Sequence, residues 1–346
     1  MKVLAQVSSK PSGLRRIAEE LGISVSLVSK VLSGRMGTSG ATPETALAIH
    51  EKAKELHYRK NLAAEALCTG RQNVIAVCLH HHGVEGSMIV DEMISGIATE
   101  AACHRQRLLI HYYSSAKEFR DFAPEINQSA LDGIIVGGVP HEELTADLMA
   151  MQKCIPIVTV HDIALSKSLT NVGMDQREVT RMSTLHLIDQ GSKALVHIFT
   201  SDSLGDHRHE GFRRALDERG LEYRKELVIE VPDFTYGSGE RAVEMLLRQG
   251  KAFDGVVAQS DTQAVAVLNR LVLLGRQIPK DLRIIGVDNA PICRYSIVPM
   301  SSVSQEYVAR GRQAVRLLVR QINGQSSSST QVMPVLYARA SSQGAS

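Results

Sequence analysis

A short run of small side chains with one lysine offers chemistry suited to DNA. Val25, Ser26, Ser29 and Lys30 lie in "LGISVSLVSKVLSG", where the lysine is the only charged residue. Side chains of this size let a helix approach base edges in the major groove: Val25 and Ser26 suit a thymine methyl group or a base acceptor, and Lys30 suits the O6 and N7 of guanine. We predict phosphate contacts for Ser29 and Thr42.

Three short helices are predicted to position these side chains. Gly22 ends the first helix, Ser24 caps the second, and Thr42 with Pro43 opens the third. Two helices joined by a glycine-containing turn predict a helix-turn-helix, and an ordinary helical hairpin is the alternative. We place Leu14 on the apolar face of the first helix and also among the DNA-contacting residues. The pattern of the third helix predicts that Leu47, Ile49, Ala53 and Leu56 point inward.

Apolar strands alternate with amphipathic helices beyond about Arg71. The predicted strands are "NVIAVCLH", "RLLIHYY", "LDGIIVGG", "IPIVTVHD", "ALVHIFTS", "ELVIEVPD", "FDGVVAQSD" and "LRIIGVDN". Strands rich in Val and Ile that alternate with helices indicate parallel sheets of βαβ units. Eight strands are too many for a single doubly wound sheet in a chain of this length, so we expect two lobes. "GQSSSST", residues 324–330, is predicted to be a linker before a last strand-like "QVMPVLYARA".

Composition limits the class of protein. The 346 residues are 44% hydrophobic and 22% charged, and no apolar run approaches a membrane span. The start "MKVLAQVSSK" is too short and polar for a secretory signal, so we expect a cytoplasmic protein without a membrane partner. Residues 1–70 hold 10 Lys and Arg against 6 Asp and Glu, which fits a small anion-binding module. Five scattered cysteines predict neither a disulfide framework nor a zinc site.

The segment "HYRKNLAAEALCTGRQ" resembles the linker of the lactose/galactose repressor (LacI/GalR) family. The positions that match the family pattern are Tyr58, Asn61, Ala64 and Leu67. Upstream, "IAEELGISVSLVSKVLSG" also resembles the family. The resemblance implies a hinge helix that folds on operator DNA, lined by Asn61 and Ala64, with Leu67 wedged into the minor groove. Lys60 and Glu65 depart from the family pattern and are expected to weaken this hinge.

The resemblance continues to about Gly324, through "NVGMDQREVTRMSTLHLIDQGSKALVHIFT" and "FDGVVAQSDTQAVAVLNRLVLLGRQIPKDLRIIGVDNAPICRYSIVPMSSVSQ". It implies two Rossmann-like lobes with an effector cleft between them. Arg208 and Asp288 fall on the family's ligand-binding arginine and aspartate. Phe234 falls on a stacking aromatic residue. Ser260 stands where the family often has Asn, and Asp162 is a further candidate at a strand end.

Histidines and acidic pairs raise metal or catalytic alternatives. In "HHHGVEGS", adjacent residues of an extended segment point to opposite faces, so the three histidines cannot all hold one ion. We expect His82 to hydrogen-bond the effector. The sequence has no GxxxxGK[ST], GxSxG or HExxH pattern, so we expect no cofactor, no metal and no enzyme activity.

The predicted fold class is a small all-α helix-turn-helix DNA-binding domain plus an α/β two-lobed periplasmic-binding-protein-like domain. The expected divisions are residues 1–58 for DNA binding; 59–71 for the hinge; 72–340 for effector binding and dimerisation, with lobe 1 at 72–171 and 301–330 and lobe 2 at 172–300 and 331–340; and a tail at 341–346. We expect a homodimeric transcriptional regulator, a repressor, that binds a pseudo-palindromic operator and one small-molecule effector. A sugar or polyol is the expected effector, and a purine-like corepressor stays open. The alternatives are a transport-type small-molecule-binding protein and a sugar-processing enzyme.

Overall fold

The computed structural model describes residues 13–33, 40–59, 66, 70–80, 88–128, 131–138, 141–201 and 203–343. The chain separates into two compact units, Met1–Gln72 and Asn73–Ser346. The predicted hinge residues Asn61, Ala64 and Leu67, and the predicted effector ligand His82, lie outside the described residues.

The first unit contains three helices around a small apolar core. They are α1 (Gly13–Leu21), α2 (Val25–Ser33) and α3 (Pro43–Glu55). Gly22 adopts a φ of 63° after α1, in the left-handed region that glycine accommodates easily. The Ser24 hydroxyl accepts from the Leu27 amide at 3.2 Å, and the Thr42 hydroxyl accepts from the Thr45 amide at 3.3 Å. The predicted helix caps are therefore present.

Leu47 corrects one sequence expectation for this unit. Ile49 and Ala53 are buried on α3, whereas Leu47 is 61% exposed. At 3.6 residues per turn, Leu47 is about 200° around the helix from Ile49, so both cannot face one core. The prediction that Leu47 points inward is wrong.

The second unit contains twelve strands among its described residues. They are β1 (Val74–His80), β2 (Arg107–Tyr113), β3 (Gly133–Gly137), β4 (Ile157–Val160), β5 (Thr170–Gly173), β6 (Leu195–Phe199), β7 (Val228–Glu230), β8 (Gly255–Ala258), β9 (Arg283–Val287), β10 (Ser301–Ser304), β11 (Thr330–Gln331) and β12 (Val335–Tyr337). All eight strands predicted from Val- and Ile-rich segments are present. The predicted last strand-like segment contains β12, and three further short strands, β5, β10 and β11, complete the sheets.

Helices cover these sheets. They are α4 (Ile89–Cys103), α5 (Ala116–Gln128), α6 (Thr145–Met151), α7 (Gln176–Asp189), α8 (Ser203–Glu218), α9 (Tyr236–Gln249), α10 (Asp261–Leu273), α11 (Ile292–Tyr295) and α12 (Tyr307–Ile322). None of the helices described in this chain is long and apolar enough to cross a membrane.

The strands form two six-stranded sheets, one in each lobe. The first has the order β11-β5-β4-β3-β1-β2 with parallel pairs, and the second has the order β12-β10-β9-β8-β6-β7 with one antiparallel pair, β10 with β12. The chain passes between the lobes three times: after β5, after β10 and after β11. The carboxyl ends of the parallel strands of both sheets are where such folds place ligands.

The lobe boundaries differ from the expected ones by a few residues. Val172 and Gly173 pair with β11 in the first sheet, and Ser301–Ser304 pairs with β9 in the second, so both crossings come later in the chain than expected. Ser341, expected in a tail, is buried, and its hydroxyl donates to the Ile284 carbonyl at 2.7 Å. Short Thr- and Ser-rich strands are held by pairing and side-chain hydrogen bonds rather than by an apolar pattern, which is why the sequence does not mark them.

Candidate functional site

The candidate DNA-binding helix α2 has a buried side and an exposed side. Val28 and Val31 pack against Ile17 and the rest of the small core. The predicted DNA-contacting residues Val25, Ser26, Ser29 and Lys30 are all exposed. Val28 and Val31 share one face of the helix, Ser26, Ser29 and Lys30 share the opposite one, and Val25 is exposed in the first turn. The exposed side therefore carries a valine methyl surface, two hydroxyls and one ammonium group.

Leu14 and Thr42 have structural partners in the first unit. Leu14 is half-buried and packs against the core, and Thr42 caps α3. A cap hydroxyl that accepts from a backbone amide still has its O–H to donate to a phosphate oxygen. Their DNA contacts stay predictions.

The candidate effector site lies where strands and crossings of the second unit end. Arg208 is on α8, Asp288 follows β9, Phe234 precedes α9, Ser260 caps α10, and Asp162 follows β4. These elements are distant in sequence and meet because parallel strands align their carboxyl ends. Four of the five predicted residues, Asp162 being the exception, belong to the second lobe.

Arg208 is the centre of a buried hydrogen-bond network. Its side chain is almost completely buried; Nε donates to the Gln176 amide oxygen at 2.9 Å and Nη1 donates to the Gln259 carbonyl. Its guanidinium also lies 5.6 Å from the Phe234 ring centroid. The packed ring and the two bonds fix the plane of the guanidinium, which a flat, directional donor needs for ligand recognition.

Asp288 is joined to Arg208 through two glutamines. Gln305 Nε2 donates to Asp288 Oδ1 at 2.5 Å, and Gln176 Nε2 donates to Gln305 Oε1 at 2.5 Å. Asp288 has a φ of 108°, a strained conformation for a residue with a Cβ. Strain of this kind marks positions where the fold holds a side chain in place against its backbone preference.

Ser260 has a structural role in this arrangement. Its hydroxyl accepts from the Gln263 amide at 3.1 Å and donates to the Phe234 carbonyl at 3.0 Å. Both bonds connect the start of α10 to the loop that carries Phe234. Ser260 therefore positions the aromatic ring, and a direct contact with the effector stays a prediction.

The first lobe contributes a second charged group at this site. Arg310 on α12 is 2% exposed, its Nη2 lies 2.9 Å from Asp162 Oδ1, and its guanidinium is 5.3 Å from the Tyr307 ring centroid. Tyr307, Arg310, Gln305, Gln176 and Gln259 were not predicted as site residues. Gln305 follows a strand end directly, which would have been a usable signal if "SSVS" had been recognised as a strand.

A cavity of about 500 Å³ lies at the crossings between the lobes. Asp162 and Gln176 connect it to the polar network, and His207 lines its wall. Its other lining residues come from the first and third crossings, including Asn171 and Gln331. A ligand bound in this cavity would contact the segments that join the lobes.

The histidines of the second lobe pack as aromatic rings. His209 stacks on Phe199 and His197, and its Nε2 hydrogen-bonds the Tyr223 hydroxyl at 3.2 Å. Burial lowers the pKa of His197 to about 3, so this ring stays neutral at physiological pH. Over the part of the chain that the structure describes, no cluster of three or more His, Cys, Asp or Glu could hold a metal ion.

Burial raises the pKa of Asp288 to about 8, although the Arg208 charge opposes this shift. Burial also raises the pKa of Asp261 to about 7, and the Asp261 charge raises the pKa of Asp288 further. Asp288 is therefore predominantly protonated at neutral pH. It then offers a hydroxyl donor as well as an acceptor in the cleft.

Asp288→Asn should change the pH dependence of stability. Between pH 5 and 7 the folded protein holds a proton on Asp288 that the unfolded chain has released, so stability falls as pH rises; Asn removes this loss. The variant should gain about 1.4 kcal/mol per pH unit relative to the native chain over this range. Urea unfolding at several pH values measures it. The exposed Asp217→Asn is the control, and an Asp288→Asn difference that does not vary with pH would contradict the assignment.

Comparisons with known proteins agree with this geometry. The family described as "Periplasmic binding protein-like domain" matches residues 184–342. The chain is 27% identical over 320 residues to the HTH-type transcriptional regulator CelR of Thermobifida fusca, covering 91% of this chain and 93% of the relative. It is 27% identical over 324 residues to catabolite control protein A of Priestia megaterium, with the same two coverages.

Solved structures share the fold over nearly the whole chain. The Lac repressor dimer bound to operator and the anti-inducer ONPF superposes with a TM-score of 0.79 at 17% identity, covering 97% of this chain and 100% of that one. The CelR–cellobiose complex superposes with a TM-score of 0.67 at 24% identity, covering 96% and 100%.

The fold and the polar network define a two-lobed ligand-binding protein that carries a helix-turn-helix unit. The chain is similar over about nine-tenths of its length to HTH-type transcriptional regulators and to catabolite control protein A. The predicted resemblance to LacI/GalR regulators and the predicted fold class are confirmed. Relatives that match about nine-tenths of this chain and of their own length are transcriptional regulators, which favours a regulator over a transport-type binding protein.

Proposed function

We propose that this protein is an effector-controlled transcriptional repressor that binds a two-fold symmetric operator as a homodimer. The observation that carries the proposal is the exposed set Val25, Ser26, Ser29 and Lys30 on α2, in a chain whose second unit gathers Arg208 and Asp288 in a buried polar network. One surface suits DNA and the other suits a small polar molecule. Since DNA is the partner, the cytoplasm is the proposed compartment.

The DNA contact is made by α2 in the major groove. Its N-terminal residues approach base edges, and Lys30 adds the one strong directional donor on this face. A dimer places two such helices one turn of DNA apart, which is why a pseudo-palindromic operator is expected. Supporting this, the Lac repressor dimer of similar fold was solved on its operator.

A second copy of the chain is the proposed occupant of an exposed apolar patch on the second unit. Tyr295, the last residue of the short helix α11, is 82% exposed, and Ile297, two residues later, is 72% exposed. Large side chains exposed side by side in this way favour a protein interface. Sedimentation of the purified chain should give a dimer, and a double Tyr295→Asp, Ile297→Asp variant should give a monomer.

The effector occupies the cleft and makes contacts to both lobes. Arg208 and Asp288 belong to the second lobe, whereas Asp162 and Arg310 belong to the first. A ligand held by both pairs favours one angle between the lobes, and this angle biases the hinge helices. This is binding chemistry, and no catalytic step is required of these residues.

Lys30→Ala should weaken operator binding about tenfold and relax base preference at one position of each half-site. One good directional contact to a base is worth about 1–3 kcal/mol. Fluorescence anisotropy with a labelled operator duplex measures the effect. Lys54→Ala, an exposed lysine on α3, is the matched control. Equal losses for the two variants would contradict a role of Lys30 in base recognition.

Selection of the purified chain against random duplex DNA at about 150 mM salt tests the proposed function, because nonspecific binding is weak there. Enrichment of a two-fold symmetric site is the expected result. Recovery of no specific site, both without and with added metabolite mixtures, would overturn the proposal.

A further inference from the structure

Arg310 is a buried guanidinium whose hydrogen bonds are incomplete. Its Nη2 pairs with Asp162 at 2.9 Å, whereas its Nε is buried and has no hydrogen-bond partner among the residues that the structure describes. Its face lies on the Tyr307 ring. A buried N–H left without an acceptor costs about 1–3 kcal/mol, so an unfilled donor at a cleft points to a ligand acceptor.

Two arginines act on the same point of the cleft. Arg310 packs on the Tyr307 ring at 5.3 Å, and the charges of Arg208, Asp162 and Asp288 also act on the Tyr307 hydroxyl. Tyr307 is itself buried, and burial raises its pKa, so it is a neutral donor. One arginine from each lobe therefore acts electrostatically on this hydroxyl.

Two buried guanidinium groups lie in this cleft, and of these two only Arg310 has an ion-pair partner among the described residues, because Arg208 donates to the neutral Gln176 side chain and the Gln259 carbonyl. Asp162 offers one carboxylate, which Arg310 already uses. Asp288 is protonated at neutral pH, because its pKa is raised to about 8. Glu92 on α4 also acts on Asp288; burial and the Glu306 charge raise the pKa of Glu92, and the Arg294 charge lowers it. A buried positive charge without a counter-charge is costly, so the cleft favours an anion.

We propose that the effector is an anion, with a carboxylate or phosphate group bound between Arg208 of the second lobe and Arg310 of the first and a hydroxylated body beside Phe234. The inference rests on the proposed function and adds the chemical class of the effector. The anionic group would accept hydrogen bonds from both guanidinium groups, which are suited to two-pronged contact with carboxylate and phosphate oxygens. A neutral sugar could accept a hydrogen bond from Arg310 Nε, but it would leave the buried Arg208 charge without a counter-charge.

Matched sets of ligands test this charge preference. The probes are glucose, glucuronate and glucose 6-phosphate, with galactose, galacturonate and galactose 6-phosphate as a second set, and ribose with ribose 5-phosphate as a third. Calorimetric titration of the full chain at pH 7 and 150 mM NaCl should show at least one anion that binds tenfold or more tightly than its neutral parent. A carboxylate and a phosphate of the same sugar distinguish the two anionic groups.

Variants of Arg310 identify the group that carries the preference. Arg310→Leu should reduce the ratio of anion to neutral affinity to near one, Arg310→Lys should keep most of it, and Arg312→Leu, exposed on the same helix, should leave it unchanged. The inference is overturned if neutral parents bind as tightly as the anions to the native chain, or if no anion binds. Because the native comparison requires no variant, a folding defect in Arg310→Leu does not affect this outcome. Recovery of an operator by DNA selection would then show that the proposed function stands while the effector class is wrong.

Discussion

Gly96→Ala should lower the free energy of unfolding of the second unit by about 3 kcal/mol. Gly96 lies where α4 crosses α12 in the first lobe, and a Cβ there would collide with the Val308 carbonyl oxygen and stand 2.9 Å from its carbonyl carbon. The opposing Gly311 has the same constraint, since its Cβ would lie 2.5 Å from the Met93 carbonyl oxygen. Neither contact involves a flexible side chain that could move aside.

Gly237→Ala is the matched control for this prediction. Gly237 lies in the first turn of α9, and a Cβ there would meet nothing within 4 Å. Its unfolding free energy should stay within about 0.5 kcal/mol of the native value or rise slightly, because Ala restricts the unfolded chain. Urea unfolding of both variants measures the difference. Equal stabilities would mean that the two helices do not cross as closely as the structure indicates.

Arg208→Met should weaken effector binding about 100-fold while operator affinity without effector stays within about threefold of native. Met fills much of the same volume but donates no hydrogen bond to the ligand, to Gln176 or to the Gln259 carbonyl. Removing one partner from a buried charged contact costs about 2–5 kcal/mol, and 100-fold corresponds to about 2.7 kcal/mol. Calorimetric titration of the tightest-binding metabolite measures the loss.

Arg213→Met is the control, because Arg213 is exposed on the same helix α8 and lies outside the candidate site. It removes one guanidinium from the surface and should leave effector affinity unchanged. Thermal unfolding of both variants without ligand reports whether the fold is retained. If Arg208→Met bound the effector with native affinity, the cleft network would be purely structural.

The strongly patterned elements were predictable from sequence. Strands such as β1 and β9 are buried on both faces, and their continuous runs of apolar residues predict this burial. Helix caps at Ser24 and Thr42 were predictable because their chemistry is local. Leu47 was not, because the apolar face of α3 depends on which side of the helix meets the core.

The polar half of the site could not be predicted in the same way. Arg208 and Asp288 were predicted from the family resemblance. Gln176 and Gln305 come shortly after the short strands β5 and β10, which have no apolar pattern in the sequence. The predicted linker 324–330 is a similar case: the Ser329 hydroxyl accepts from the Asn171 amide at 3.0 Å, and Thr330–Gln331 pairs with the first sheet. Tertiary hydrogen bonds order these segments, and their partners are more than a hundred residues away in the chain.

Operator affinity measured against a metabolite collection tests whether this cleft controls DNA binding. With the selected operator duplex, anisotropy should find at least one sugar, sugar acid, sugar phosphate or purine that changes the Kd of the native chain fivefold or more, since couplings of about 1–3 kcal/mol are typical. The same compound should leave the Kd of Arg208→Met unchanged. A compound that shifted both proteins equally, or a collection that shifted neither, would contradict control of DNA binding from this cleft.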